Sequence, residues 1–118
     1  MKPIDLQYMM PAEWELHERT LLAWPVLDSM TYPDNYEEVC KGYQELISAI
    51  AEFEPVTLIV NPDDLEKLQA LFTGEQVDFL PLEHDDAWMR DNGPTIVMNE
   101  QGERAGINWG FNAWGGKY

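Results

Sequence analysis

A chain of 118 residues is long enough for one domain with a modest core, and no break in composition divides it, so residues 1–118 read as a single segment. The formal charge of −15, with seven Lys and Arg scattered singly, excludes the clustered cations that a nucleic-acid partner needs. One cysteine, Cys40, fits a reducing compartment; no signal-peptide core or membrane-length apolar run is present, so the chain is expected to be cytoplasmic, with no membrane partner.

Residues 1 to 19 are polar with aromatic punctuation, and Pro11-Ala12-Glu13-Trp14-Glu15 predicts a turn or a single helical turn. Thr20-Leu21-Leu22-Ala23-Trp24, stopped by Pro25, predicts a buried strand, and turn residues from Asp28 to Asn35 predict a loop. Tyr36, Val39, Cys40, Tyr43, Leu46, Ile47, Ile50 and Phe53 recur every three or four positions, the stripe of a helix over about residues 34 to 53. Val56-Thr57-Leu58-Ile59-Val60 is a short β-branched run and predicts a second strand. Asn61-Pro62-Asp63-Asp64 reads as a helix start with Asn61 as its N-cap, Leu65, Leu68, Leu71 and Phe72 follow on one side, and Gly74 ends it. Val77 to Leu82 is a third strand. Strand, helix, strand, helix, strand implies an α/β fold with parallel pairings. Thr95 to Met98 and Arg104 to Trp109, joined by Asn99-Glu100-Gln101-Gly102-Glu103, predict a β-hairpin.

Between third strand and hairpin lies His84-Asp85-Asp86-Ala87-Trp88-Met89-Arg90-Asp91-Asn92-Gly93-Pro94. This polar knot is expected at the end of a central strand, where α/β sheets place ligand sites. A second polar and aromatic stretch runs from Asn108 to Tyr118, alternating rings with glycines and amides. Carboxylates and flat rings together suit a planar guanidinium, held edge-on by paired hydrogen bonds and face-on by an indole. The acidic field would concentrate such a cation, although from the charge alone ordinary solubility is the better explanation. A metal on His84, Asp85, Asp86 and Asp91 is the weaker reading: the spacing matches no metal motif, and Trp88 and Arg90 would crowd or oppose the ion. The plain structural alternative has Asp86 and Asp91 capping turns while Arg90 pairs with one of them. Trp24, Trp88, Trp109 and Trp114 could all be core, but Trp88 and Trp114 sit beside acids or glycines and are the ligand-facing candidates. Cys40 lies on a helical apolar stripe and reads as a buried, inert thiol; His84 is a weak general-base candidate.

At Met10-Pro11-Ala12-Glu13-Trp14-Glu15, Ala23-Trp24-Pro25, Phe53-Glu54-Pro55-Val56-Thr57, Asp85 through Thr95 and Trp109 through Tyr118, the chain resembles the agmatine deiminase family. That family belongs to a guanidino-modifying superfamily that also holds bacterial peptidyl-arginine deiminases. The resemblance implies the N-terminal modules of a pentein-type five-bladed α/β propeller and hydrolysis of agmatine to N-carbamoylputrescine and ammonia, in putrescine biosynthesis, without metal or organic cofactor. By the same resemblance Asp91 is the catalytic-site carboxylate that binds the guanidinium, Trp88 and Trp114 line the pocket, and Asp86 and Arg90 support the loop.

The family's nucleophilic cysteine, catalytic histidine and second guanidinium-binding aspartate lie in segments that these residues do not match, and Cys40 does not match the nucleophile's motif. The chain, ending in mid-pattern, is therefore expected to be part of a longer one and to lack deiminase activity by itself. In the implied reaction a thiolate attacks the guanidinium carbon, a histidine protonates departing ammonia, and water hydrolyses the thiouronium. The rivals are a deiminase of free or peptidyl-arginine, and a non-catalytic module that binds a cation or a partner. Strand edges exposed in an isolated fragment would favour self-association, so a homo-oligomer is one expected outcome.

Overall fold

The computed structural model describes residues 1–29 and 31–116. Met30 in the predicted loop, and Lys117 and Tyr118 at the end of the aromatic stretch, lie outside the described residues. The fold is mixed α/β in two compact units: His17–Met89, and Met1–Leu16 together with the described residues from Arg90 onward.

The larger unit is built on three parallel strands, β1 (Thr20–Ala23), β2 (Val56–Val60) and β3 (Val77–Pro81), in that spatial order. Leu22 lies opposite Leu58, and Leu58 opposite Phe79. Two helices make the crossovers, α1 (Tyr36–Ala51) and α2 (Leu65–Leu71). Alternation along β2 sends Val56, Leu58 and Val60 into the core, where they meet Ile47 and Ala51 of α1, Leu68 of α2, and Phe72. Trp24 closes the core edge-on against Phe72, their centroids 6.1 Å apart. Full burial of Ile47, Leu58 and Leu68 contributes about 2 kcal/mol each. The amide of Gln76 donates to the Ala51 carbonyl at 2.8 Å, satisfying one of the acceptors that the end of α1 leaves over. Gly74, at φ 83°, makes the left-handed turn out of the α2 region.

Three expectations need correction. The α1 stripe is narrower than its periodicity suggested: Leu46 is half-exposed and Phe53, beyond the helix end, is 86% exposed. Asn61 does not cap α2, since a 3-10 turn over Pro62–Asp64 intervenes and its side chain is engaged elsewhere. Finally, β2 is central and β3 is an edge strand, so the knot follows an edge strand rather than a central one.

In the smaller unit β4 (Thr95–Met98) pairs antiparallel with β5 (Arg104–Ile107). The turn forms because Asn99 Oδ1 accepts from the backbone N–H groups of Gln101 and Glu103, while Gly102 takes φ 78°. The second strand ends at Ile107, short of the expected Trp109. Met9 joins the hairpin through two backbone hydrogen bonds to Met98, at 2.8 and 2.9 Å. Residues 12 to 15 form the expected turn, closed by the Glu15 N–H on the Ala12 carbonyl.

Candidate functional site

The chain that leaves β3 is tied down at once. The side chain of Asn61, just after β2, grips the backbone of His84 from both sides, accepting its N–H at 2.9 Å and donating to its carbonyl at 3.1 Å. The imidazole of His84 meets the Trp24 carbonyl, just after β1, through Nε2 at 2.8 Å and the Leu82 carbonyl through Nδ1 at 3.0 Å. One residue therefore ties together the C-terminal ends of all three parallel strands. With both ring nitrogens on backbone carbonyls, His84 is a clamp rather than the general base that its sequence position allowed.

Asp86 comes next. Its Oδ2 accepts from Thr31 Oγ1 at 2.8 Å and Ser29 Oγ at 3.1 Å, and its Oδ1 from the Ala87 N–H at 2.7 Å. Three donors on one carboxylate make Asp86 an anchor of the loop; its backbone partner is the adjacent Ala87 N–H, not the N–H two residues on that a capped turn uses. Trp88, 46% exposed, donates from Nε1 to Thr31 Oγ1 at 3.3 Å.

The two units divide after Met89, within the short helix α3 (Met89–Asn92), so Asp91 and Trp114 belong to the smaller unit and Trp88 to the larger. In the smaller unit Trp114 Nε1 donates to Asp91 Oδ2 at 3.3 Å. Trp114 also packs edge-on against Phe111, centroids 5.1 Å apart. It is presented by a left-handed turn, Ala113 and Trp114 at φ 54° and Gly115 and Gly116 at 81° and 75°. That conformation costs a residue with a Cβ about 1–2 kcal/mol, and such strain clusters where a side chain must be aimed.

Arg90 pairs with neither aspartate. Its guanidinium donates to Glu13 Oε1 at 3.2 Å, both side chains being largely exposed. Trp109 is 62% exposed and donates to Thr95 Oγ1, whereas Trp24 is buried, its Nε1 without a well-aligned partner among the described residues. Among the described residues no three of His, Cys, Asp and Glu converge as a metal site would require.

Cys40 is half-buried, not fully buried, and lines an open groove of about 570 Å³ with Trp24, Tyr36, Lys67 and Leu71. Burial is the main cause that pushes its thiol above the ordinary value, against the opposing effects of the Tyr36 hydrogen bond and the Lys67 charge. A thiol so shifted supplies little thiolate at neutral pH, which agrees with the inert reading.

Ser29, Thr31 and Glu13 were given no role of their own from the sequence, and Asn61 was given only that of a helix cap. Each meets its partner across more than twenty residues, and none stands in a motif of its own.

The chain as a whole is similar to known proteins. An agmatine deiminase of Pseudomonas aeruginosa is 40% identical over 113 residues, covering 92% of this chain and 29% of the relative. Among solved structures, the agmatine deiminase of Enterococcus faecalis superposes with a TM-score of 0.85 at 29% identity, over 97% of this chain and 31% of that one. A C. jejuni agmatine deiminase with substrate bound superposes at 0.78 and 29% identity, over 94% of this chain and 33% of that one. The chain thus spans about a third of the length of the relatives it matches. No described helix is long and apolar enough to cross a membrane. The sequence pattern of the Porphyromonas-type peptidyl-arginine deiminases matches residues 9–118, nearly the whole chain, and the chain belongs to that family.

Proposed function

We propose that this chain is the N-terminal part of an agmatine deiminase and supplies the guanidinium-binding side of its site. The observation that carries the reading is the Asp91–Trp114 pair: an exposed carboxylate held at 3.3 Å by the indole N–H of a ring set on a strained left-handed turn. A carboxylate binds a guanidinium in its plane, and an indole face binds it from above. Asp91 is the binding carboxylate on this reading, Trp88 and Trp114 are the pocket walls, and Asp86 and Arg90 are supports. The names of the relatives point the same way. The α/β sheet and hairpin are then the opening modules of a five-bladed propeller, as the family resemblance implies.

Holding the cation planar and still is the contribution of these residues to catalysis, because it exposes the guanidinium carbon to attack along one direction. We assign the nucleophilic thiolate to residues outside this chain, because Cys40 does not match the nucleophile's motif and lies on α1, in a groove lined by Trp24, Tyr36 and Lys67. The family also favours a second reading, a deiminase of free or peptidyl-arginine. Free arginine brings an α-carboxylate that needs a cation. The basic residue nearest Asp91 in sequence, Arg90, is paired with Glu13, which favours agmatine.

Calorimetric titration with agmatine, arginine and putrescine, beside an ammonia-release assay, tests the proposal. Agmatine should bind, putrescine should not, and Asp91→Ala should weaken the binding by about a hundredfold. Equal binding of putrescine would overturn guanidinium recognition, tighter binding of arginine would favour the second reading, and ammonia release by these residues alone would overturn the assignment of the nucleophile elsewhere.

A further inference from the structure

We propose that Thr31 is a positioning residue that sets the plane of the Trp88 indole for a flat cationic ligand. The inference rests on the guanidinium reading above and adds to it a residue from a loop more than fifty positions away in the chain. The geometry is a relay of three groups. Trp88 Nε1–H donates to Thr31 Oγ1 at 3.3 Å, and the hydroxyl spends its own proton on Asp86 Oδ2 at 2.8 Å. A hydroxyl that donates to a carboxylate is polarised, which makes its oxygen a better acceptor for the indole N–H. Asp86 is fixed in turn by Ser29 Oγ and by the Ala87 N–H, and Ser29 Oγ also accepts from the Thr31 N–H at 3.2 Å. Thr31 and Asp86 are therefore each held by further contacts, and Trp88 is held through them.

Trp88 needs such a tether. It is 46% exposed, so packing alone leaves the ring free to turn about χ1 and χ2. A cation–π contact works only when the cation lies over the ring face, so an untethered indole would pay rotamer entropy on each binding event. The bond at Nε1 holds one edge of the ring and leaves the π-faces unclaimed by that bond. Thr31 touches neither ligand nor reacting atoms on this account; it acts through Trp88.

The test uses ¹⁵N-labelled protein, in which each of the five tryptophans gives one indole N–H resonance and Trp88→Phe identifies that of Trp88. In Thr31→Val the Trp88 resonance should shift and exchange faster with water, and agmatine should bind about three- to tenfold more weakly, the size of one lost neutral hydrogen bond. Thr31→Ser keeps the hydroxyl and should restore both readouts, which a merely structural role for the threonine would not require. An unmoved Trp88 resonance in Thr31→Val would overturn the tether. A shifted resonance with unchanged agmatine affinity would overturn the positioning role, and so would Thr31→Ser behaving like Thr31→Val. If the unmodified protein binds no agmatine, the guanidinium reading falls and the ligand half of this proposal with it, while the indole resonance still decides the tether.

Discussion

The two units divide the labour of the chain unequally. His17–Met89 holds nearly all the buried apolar side chains, with Ile47, Val56, Leu58, Val60 and Leu68 shut off from water. The smaller unit buries Val97 but leaves Trp14, Leu16 and Trp109 largely exposed, and its structure is a hairpin with one added bridge, a strained turn and short helical turns. The region with a core carries the anchored loop and Trp88, and the region with little core carries the exposed Asp91 and its Trp114 partner. A short two-stranded hairpin is marginal by itself, so the smaller unit should open locally at far lower free energy than the larger.

The contrast can be broken from either side. The largest effect should come from Leu58→Ala, which removes a fully buried side chain from the central strand and should cost the larger unit about 3–5 kcal/mol in urea denaturation followed by far-UV circular dichroism. A loss under 1 kcal/mol would mean that the sheet is not the stable half. Next is Asp91→Ala, which should weaken agmatine binding by about a hundredfold, as expected for losing a charge-assisted contact, while leaving the denaturation midpoint in place. A parallel fall in stability would show that Asp91 belongs to the fold and not to recognition.

Alkaline pH probes the larger unit by itself. Burial, with the Cys40 hydrogen bond adding to it, pushes the Tyr36 phenol up to about 12. The unfolded chain loses this proton near pH 10 and the folded chain holds it to about 12, so the stability contributed is intact below pH 10 and falls as pH rises between those values. Tyr36→Phe should flatten that part of the pH–stability curve; an unchanged slope would assign it to another group.

Two smaller effects concern the other unit. Ala113→Gly relieves a residue with a Cβ at φ 54° and should stabilise the turn by about 0.5–1 kcal/mol, seen as slower amide exchange around residues 112 to 115, provided the strain is local. Arg90→Gln removes an exposed ion pair and should change stability by less than about 0.5 kcal/mol, so a larger loss would show that the Arg90–Glu13 contact organises the unit.

What the sequence made legible and what it hid follow from the range of each interaction. Helix α1, the β-branched strand β2 and the Asn99–Glu103 turn are local patterns, and they lie where periodicity and turn chemistry put them. The parallel order of β1, β2 and β3 followed from the alternation of strands and helices. Asn61 misled because an amide before proline is a good cap by local rules, yet its stronger partner was the His84 backbone, 23 positions on. Ser29 and Thr31 looked like ordinary loop residues for the same reason. Their role appears only when the loop after β1 and the loop after β3 are brought to the same end of the sheet. Nor does any local rule forecast two residues with a Cβ in a left-handed turn, since local preference opposes it.

The burial of Trp24 against Phe72 gives the molecule a built-in optical label. An indole in apolar surroundings fluoresces at shorter wavelength than one in water, and Trp24 is the buried ring of the larger unit, while Trp14 and Trp109 face solvent in the smaller. The blue edge of the emission band therefore reports the sheet and its helices, and the red edge answers first to quenchers such as iodide. Loosening of the smaller unit leaves the blue edge unchanged, whereas melting of the core moves it, so one cuvette distinguishes the two events by colour.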